Sequence, residues 1–199
     1  MDATLPEFGP EVALVVVDMQ NDFADPAGSL FVAGGDRLVA PINSLIAEAR
    51  AAGSTIVLTQ DWHPGETAHF VTGGGPWPVH CVAGTWGAEL VGGLDDDADA
   101  VVRKGTRGED GYSAFSMRDT RTGTDVPTGL TGLLRERQVE RVVVVGLAAD
   151  VCVAATAHDA AAAGFATAVA WAATAAVRPG DEPQVLADLA AAGVVVVGA

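Results

Sequence analysis

Two unbroken apolar runs constrain the fold of this chain more than anything else in it. They are Val12–Val17 (VALVVV) and the valines of Arg141–Val145 (RVVVV). A strand with one face in water alternates apolar and polar residues; these do not alternate, so each reads as a strand buried on both faces. Burial on both faces calls for a parallel sheet covered by helices on either side. The rest of the chain supplies the parts. Asp36 reads as the N-cap of a helix running to about Ala52, with Leu38, Ile42, Leu45, Ile46 and Ala49 at helical spacing, Pro41 early enough to be tolerated and Gly53 as the stop. Ser54–Thr59 is a second strand, Ala100–Lys104 a third, Leu130–Gln138 a helix, and Ala166–Trp171, Glu182–Ala192 and Val194–Val197 a strand, a helix and a last strand. Strand and helix alternate throughout, which argues α/β architecture in three layers, α/β/α, within one domain over residues 1–199.

The stretch Gly146–Cys152 (GLAADVC) lies between the Arg141–Val145 strand and an Ala-rich helical segment that ends at Gly164. Cys152 therefore falls where a strand's carboxyl end meets a helix's first turn, with Asp150 as the expected N-cap. A thiol there feels the positive end of the helix dipole and ionises more readily. The alternative is an inert Cys packing the junction.

Composition narrows the function. The formal charge is −15, from 26 acidic and 11 basic residues, which repels nucleic acid and anionic membrane and points to a small-molecule ligand. The acidic, proline-containing start MDATLPEFGP has no apolar core and reads as no signal peptide. The Ala-rich stretch after Asp159 falls short of the ~20 apolar residues of a membrane span. Two Cys are too few for a disulfide framework, and the expected location is the cytoplasm. A homo-oligomer is left open.

Ligands of open α/β sheets bind at the carboxyl ends of the strands. Asp18, Asp61, Lys104 and Cys152 all stand at such ends. Asp18, Lys104 and Cys152 supply a proton acceptor, a fixed cation and a thiol, the set that nucleophilic catalysis needs. Asp61-x-His63, His69 and His80 form a second group in a non-periodic stretch that runs to about Asp99 and holds three of the four His. One carboxylate and three imidazoles suit a divalent Fe, Mn or Zn ion. Cys81, beside His80, reads as packing, His158 as an ordinary helix residue and Asp95–Asp97 as a solvated turn.

The segments VVVDMQNDF, TQDWHP with AHF and WPVHC, VVRKG and GLAADVC together resemble the nicotinamidases among the isochorismatase-like cysteine hydrolases, from Val12 to about Gly164. The resemblance implies a six-stranded parallel sheet and hydrolysis of nicotinamide, or of another small carboxamide in a related amidase. It implies Cys152 as nucleophile, Asp18 as general base, Lys104 as the third member, and one divalent metal on Asp61, His63, His69 and His80. It further implies a cis bond at Leu147–Ala148, an oxyanion hole from the N–H groups of Ala148 and Cys152, and a substrate pocket lined by Phe23, Trp77 and Tyr112. Ala149, and an apolar AWAATAAV segment, depart from the family pattern. Two other readings stay open: a metallohydrolase in which Cys152 is structural, and a non-catalytic domain that binds a nicotinamide-like ring.

Overall fold

A computed structural model describes residues 4–199; the first three residues of the acidic N-terminal stretch lie outside it. The chain runs β1 (Val12–Val17), α1 (Asn21–Ala24), α2 (Val39–Ala51), β2 (Thr55–Asp61), β3 (Ala100–Lys104), β4 (Ser116–Arg118), β5 (Asp125–Pro127), α3 (Leu130–Glu136), β6 (Arg141–Leu147), α4 (Ala154–Ala162), β7 (Ala166–Ala175), α5 (Glu182–Ala191) and β8 (Val195–Val197). Six strands make one parallel sheet in the order β3-β2-β1-β6-β7-β8, and β4 and β5 form a separate antiparallel hairpin. The expected parallel α/β architecture is borne out.

The continuous apolar runs are explained by which way each residue points. Along β1, Val12, Leu14 and Val16 face α2 and pack with Ile42, Ile46 and Ala49. Ala13, Val15 and Val17 face the other layer and meet Leu130 and Leu134 of α3, Ala157 and Ala160 of α4 and Leu189 of α5. Strand β6 divides in the same way, with Val143 and Val145 on one side and Val142 and Val144 on the other. Each such side chain contributes ~1.5–3 kcal/mol by leaving water.

Several boundaries differ from expectation. Asp36 lies in a short 3-10 turn, Gly35–Arg37, and α2 begins after it with no side-chain cap. β6 extends two residues beyond Val145, and β7 reaches Ala175 rather than Trp171. Between the Ala100–Lys104 strand and the Leu130 helix, where the sequence suggests no element, lies the β4–β5 hairpin. Asp95 is not merely solvated, because Arg50 grips it through two hydrogen bonds of 2.7 and 2.9 Å. No helix of the described residues is long and apolar enough to cross a membrane.

At the centre of the sheet, Gly146 pairs with Val17. Its φ is 105°, and a Cβ there would stand 2.2 Å from the carbonyl oxygen of Val17. Only glycine fits. Gly146→Ala is therefore expected to destabilise the protein by more than ~1 kcal/mol. Gly132→Ala, in α3 with nothing within 4 Å of the added methyl, should instead stabilise it by ~0.5–1 kcal/mol. Urea-denaturation midpoints of the two variants should move in opposite directions; movement in the same direction would refute the close-approach argument.

Candidate active site

The strand order reverses direction between β1 and β6, which makes that gap the topological switch point where ligands bind. Asp18 follows β1 and Cys152 follows β6, so topology alone brings them together. Lys104 arrives by register, as the Cα partner of Asp61 across the β2–β3 ladder. Asp18 is fully buried with φ 47°, a backbone region that aspartate tolerates better than most residues. Thr59 fixes it twice, accepting from the Asp18 N–H at 3.1 Å and donating its hydroxyl to Asp18 Oδ1 at 2.6 Å.

Lys104 is completely buried, and four oxygens surround its ammonium. Nζ lies 2.7 Å from Asp18 Oδ2 and 2.8 Å from Asp61 Oδ1, and donates to the carbonyls of Gly111 at 2.7 Å and Tyr112 at 3.3 Å. Burial by itself would push this ammonium down, but the Asp18 and Asp61 charges outweigh it and hold Lys104 well above its ordinary range. The two carboxylates diverge. Burial raises Asp18, and Lys104 offsets this only in part. Burial also pushes Asp61 up, yet Lys104, with His63 and His80, holds it well below the usual carboxylate range.

A carboxylate oxygen of Asp18, one of Asp61 and Cys152 Sγ all lie within 4.8 Å of one another. Burial pushes the Cys152 thiol well up; Lys104 counteracts this, while Asp18 and Asp61 reinforce it. The expectation of a readily ionised thiol is thus corrected. Lys104 acts in the expected direction, but burial and two neighbouring anions prevail. The local backbone differs too, since residues Ala149–Val153 form a π-helical turn ahead of α4. Asp150 caps nothing. Its carboxylate instead accepts the N–H groups of Val177 and Arg178.

His63, His69 and His80 are all buried, and each offers one ring nitrogen to a cluster within 4.8 Å. Asp61 Oδ2 lies 3.7 Å from Nε2 of both His63 and His80. The outward nitrogens are occupied: Nδ1 of His80 meets the Pro78 carbonyl and Nδ1 of His69 meets Asp110, each at 2.7 Å, which leaves Nε2 free to face inward. Among the described residues, both ring nitrogens of His63 lack a hydrogen-bond partner, as does Asp61 Oδ1, which sits beside Lys104 outside hydrogen-bonding geometry. Buried orphan nitrogens cost free energy that a cation would recover. The donor set fits a divalent metal.

Beside this cluster, Cys152 lines a narrow cleft together with Phe23, Trp77, Tyr112, Ala148, Val151 and Val177. Trp77 Nε1 donates to the Tyr112 hydroxyl at 2.9 Å. The Leu147–Ala148 peptide bond is cis.

An isochorismatase domain model matches residues 12–199. The chain belongs to the isochorismatase family. It is 44% identical over 171 residues to a nicotinamidase of Acinetobacter baylyi, covering 77% of this chain and 76% of that one. A crystal structure of an L. infantum protein in complex with nicotinate is similar with a TM-score of 0.88 at 42% identity, over 99% of this chain and 96% of that one. The pyrazinamidase of Pyrococcus horikoshii in complex with zinc is similar with a TM-score of 0.83 at 40% identity, over 94% and 99%.

In this isochorismatase-family chain, every residue singled out from the sequence as catalytic, metal-ligating or substrate-lining falls at one edge of the sheet. Four neighbours escaped the sequence reading. Thr59 holds Asp18, Asp110 orients His69, and Asp150 ties down Val177 and Arg178. Gln20 exchanges two hydrogen bonds of 2.8 Å with the backbone of Asp61. Thr59 and Gln20 sit within strand-end motifs and carried that faint signal; Asp110 and Asp150 looked like loop and cap residues. Cys81 is buried, its Sγ near the Gly87 carbonyl at 3.7 Å, as expected of packing.

Removing the Lys104 ammonium strands two buried carboxylates. Lys104→Ala should cost ~3–5 kcal/mol in urea unfolding, the penalty of breaking a buried ion pair. A loss below ~1 kcal/mol, typical of a solvated pair, would contradict the geometry.

Proposed function

We propose that this protein hydrolyses nicotinamide to nicotinate and ammonia through a thioester on Cys152. The observation that carries the reading is a buried thiol within 4.8 Å of a buried carboxylate, on the wall of a cleft lined by Phe23, Trp77 and Tyr112. The nicotinamidase and nicotinate-bound relatives support the substrate. Asp18 takes the Sγ proton as Sγ attacks the carboxamide carbon. The N–H groups of Ala148 and Cys152 receive the oxyanion, an interaction worth ~3–4 kcal/mol per donor. The C–N bond then breaks, the proton passes from Asp18 to the leaving ammonia, and Asp18 deprotonates the water that cleaves the thioester. Lys104 holds Asp18 in place and partly balances the charge. Phe23, Trp77 and Tyr112 enclose the ring.

Asp61, His63, His69 and His80 would hold one divalent ion, zinc, iron or manganese, and a bound ion supplies a Lewis-acid centre for the pyridine nitrogen or a water beside it. The zinc-bound pyrazinamidase supports this assignment. We also assign the enzyme, as a single hydrolase domain, to the reducing cytoplasm, which its two free buried thiols suit.

Ammonia release from nicotinamide is the direct test. Cys152→Ala should abolish it while leaving far-UV circular dichroism unchanged, and acid quench of wild type under excess substrate should leave a nicotinoyl adduct on the Cys152 peptide. Full turnover by Cys152→Ala would eliminate the thiol mechanism. A second test concerns the ion. Stripping it should lower the melting temperature and raise the KM for nicotinamide, and Zn²⁺ or Mn²⁺ should restore both by mass action in wild type but not in His69→Ala. Alkylation of Cys152 by iodoacetamide should survive the stripping. If it does not, the thiol and the ion are not separable in the way proposed.

A further inference from the structure

The mechanism above makes no use of Asp150, yet its side chain is among the most deliberately placed in the molecule. Only 1% of it is exposed. Oδ1 accepts the Val177 N–H at 2.8 Å, Oδ2 accepts the Arg178 N–H at 3.0 Å, and the Arg178 guanidinium lies 3.7 Å from Oδ2. These contacts join two segments 27 residues apart. One is the π-helical turn Ala149–Val153, which carries Val151 and Cys152; the other leaves the end of β7. Val151, Cys152 and Val177 all line the cleft. Val177 follows AWAATAA, the stretch whose apolar character departs from the family pattern. Val177 also packs against the apolar core, while residues 178–180 beyond it are exposed.

We propose that Asp150 is a positioning residue for substrate: it fixes Val177 as part of the wall of the cleft, and so sets how tightly a flat ring is gripped beside the thiol. The turn that carries Cys152 does not depend on this carboxylate, because Val151 and Val153 both donate to the Ala148 carbonyl at 3.0 Å and close it independently. The carboxylate therefore acts on the wall more than on the nucleophile. The inference rests on the amide-hydrolase reading for its kinetic test and on geometry alone for its chemical one.

The experiment is a double-mutant cycle on the full chain with Asp150→Ala, Val177→Ala and the pair. Each single variant should raise the KM for nicotinamide about ten-fold, the scale of lost apolar contact in a pocket, with kcat within about three-fold of wild type. The pair should be scarcely worse than either single, because Asp150 acts through Val177. Iodoacetamide alkylation of Cys152, followed by peptide mass spectrometry, should quicken in both singles as the wall loosens, and no further in the pair. An unchanged KM in Asp150→Ala, penalties that multiply in the pair, or a loss confined to kcat would each overturn the proposal. If Asp150→Ala does not fold, Asp150→Asn, which retains one acceptor oxygen, takes its place in the same cycle. Failure of wild type to release ammonia from nicotinamide would sink the substrate reading instead, and the alkylation arm would still decide the role of Asp150.

Discussion

The buried Lys104 ammonium is the interaction on which the rest of the site depends. It stands between Asp18, at the end of β1, and Asp61, at the end of β2, within 2.8 Å of both. Without it, two carboxylates would share a volume from which water is excluded, and neither could stay charged cheaply. The single cation serves two different tasks. Toward Asp61 it stabilises the ionised form. Toward Asp18 it only partly offsets burial, so this carboxylate keeps a raised affinity for protons. One charge thus sorts two like groups into unlike roles, because their surroundings differ: Asp61 has His63 and His80 beside it, and Asp18 has the Thr59 hydroxyl.

Placement of that cation is a property of the sheet rather than of any loop. Lys104 and Asp61 are register partners in neighbouring parallel strands, so their side chains leave the same face at the same height. Asp18 and Cys152 are juxtaposed by the order β2-β1-β6, which puts the carboxyl ends of the first strand and of β6 side by side. Close approach of those two strands in turn needs Gly146, whose missing Cβ leaves room for the Val17 carbonyl. Rigid strands therefore hold Asp18, Lys104 and Asp61. His69 and His80 are fixed by their own outer hydrogen bonds, to Asp110 and to the Pro78 carbonyl respectively.

How much of this was legible in sequence follows from which interactions are local. The β1 and β6 runs announce themselves, since burial on both faces removes any polar alternation. Polar residues that end such runs are equally visible, and the Asp61-x-His63 spacing marks the buried histidine cluster. Helix caps were less legible. Asp36 and Asp150 both have the residue type and the place of an N-cap, but a carboxylate can accept any nearby N–H, and Asp150 finds better-aligned donors 27 residues away. The β4–β5 hairpin was hidden because its strands are three residues each and largely solvated, so they carry no apolar period. Asp110 was hidden for a different reason: its partner His69 lies 41 residues distant.

The neutrality of the thiol follows from the same charge economy. Asp18 and Asp61 already place two negative charges beside one ammonium. A resting thiolate at Cys152 would add a third anion in a space where burial alone pushes Cys152 upward, and the position of Lys104 cannot compensate for all three. The proton therefore rests on sulfur. Asp18, however, has also been raised by burial, so it is a stronger base than a solvated carboxylate and a better match for that proton. In the proposed reaction the proton moves from Sγ to Asp18 as the sulfur bonds to carbon, and the developing charge passes outward to the carbonyl oxygen and its backbone donors. The number of anions around Lys104 never exceeds two, so the site never has to solvate a free thiolate.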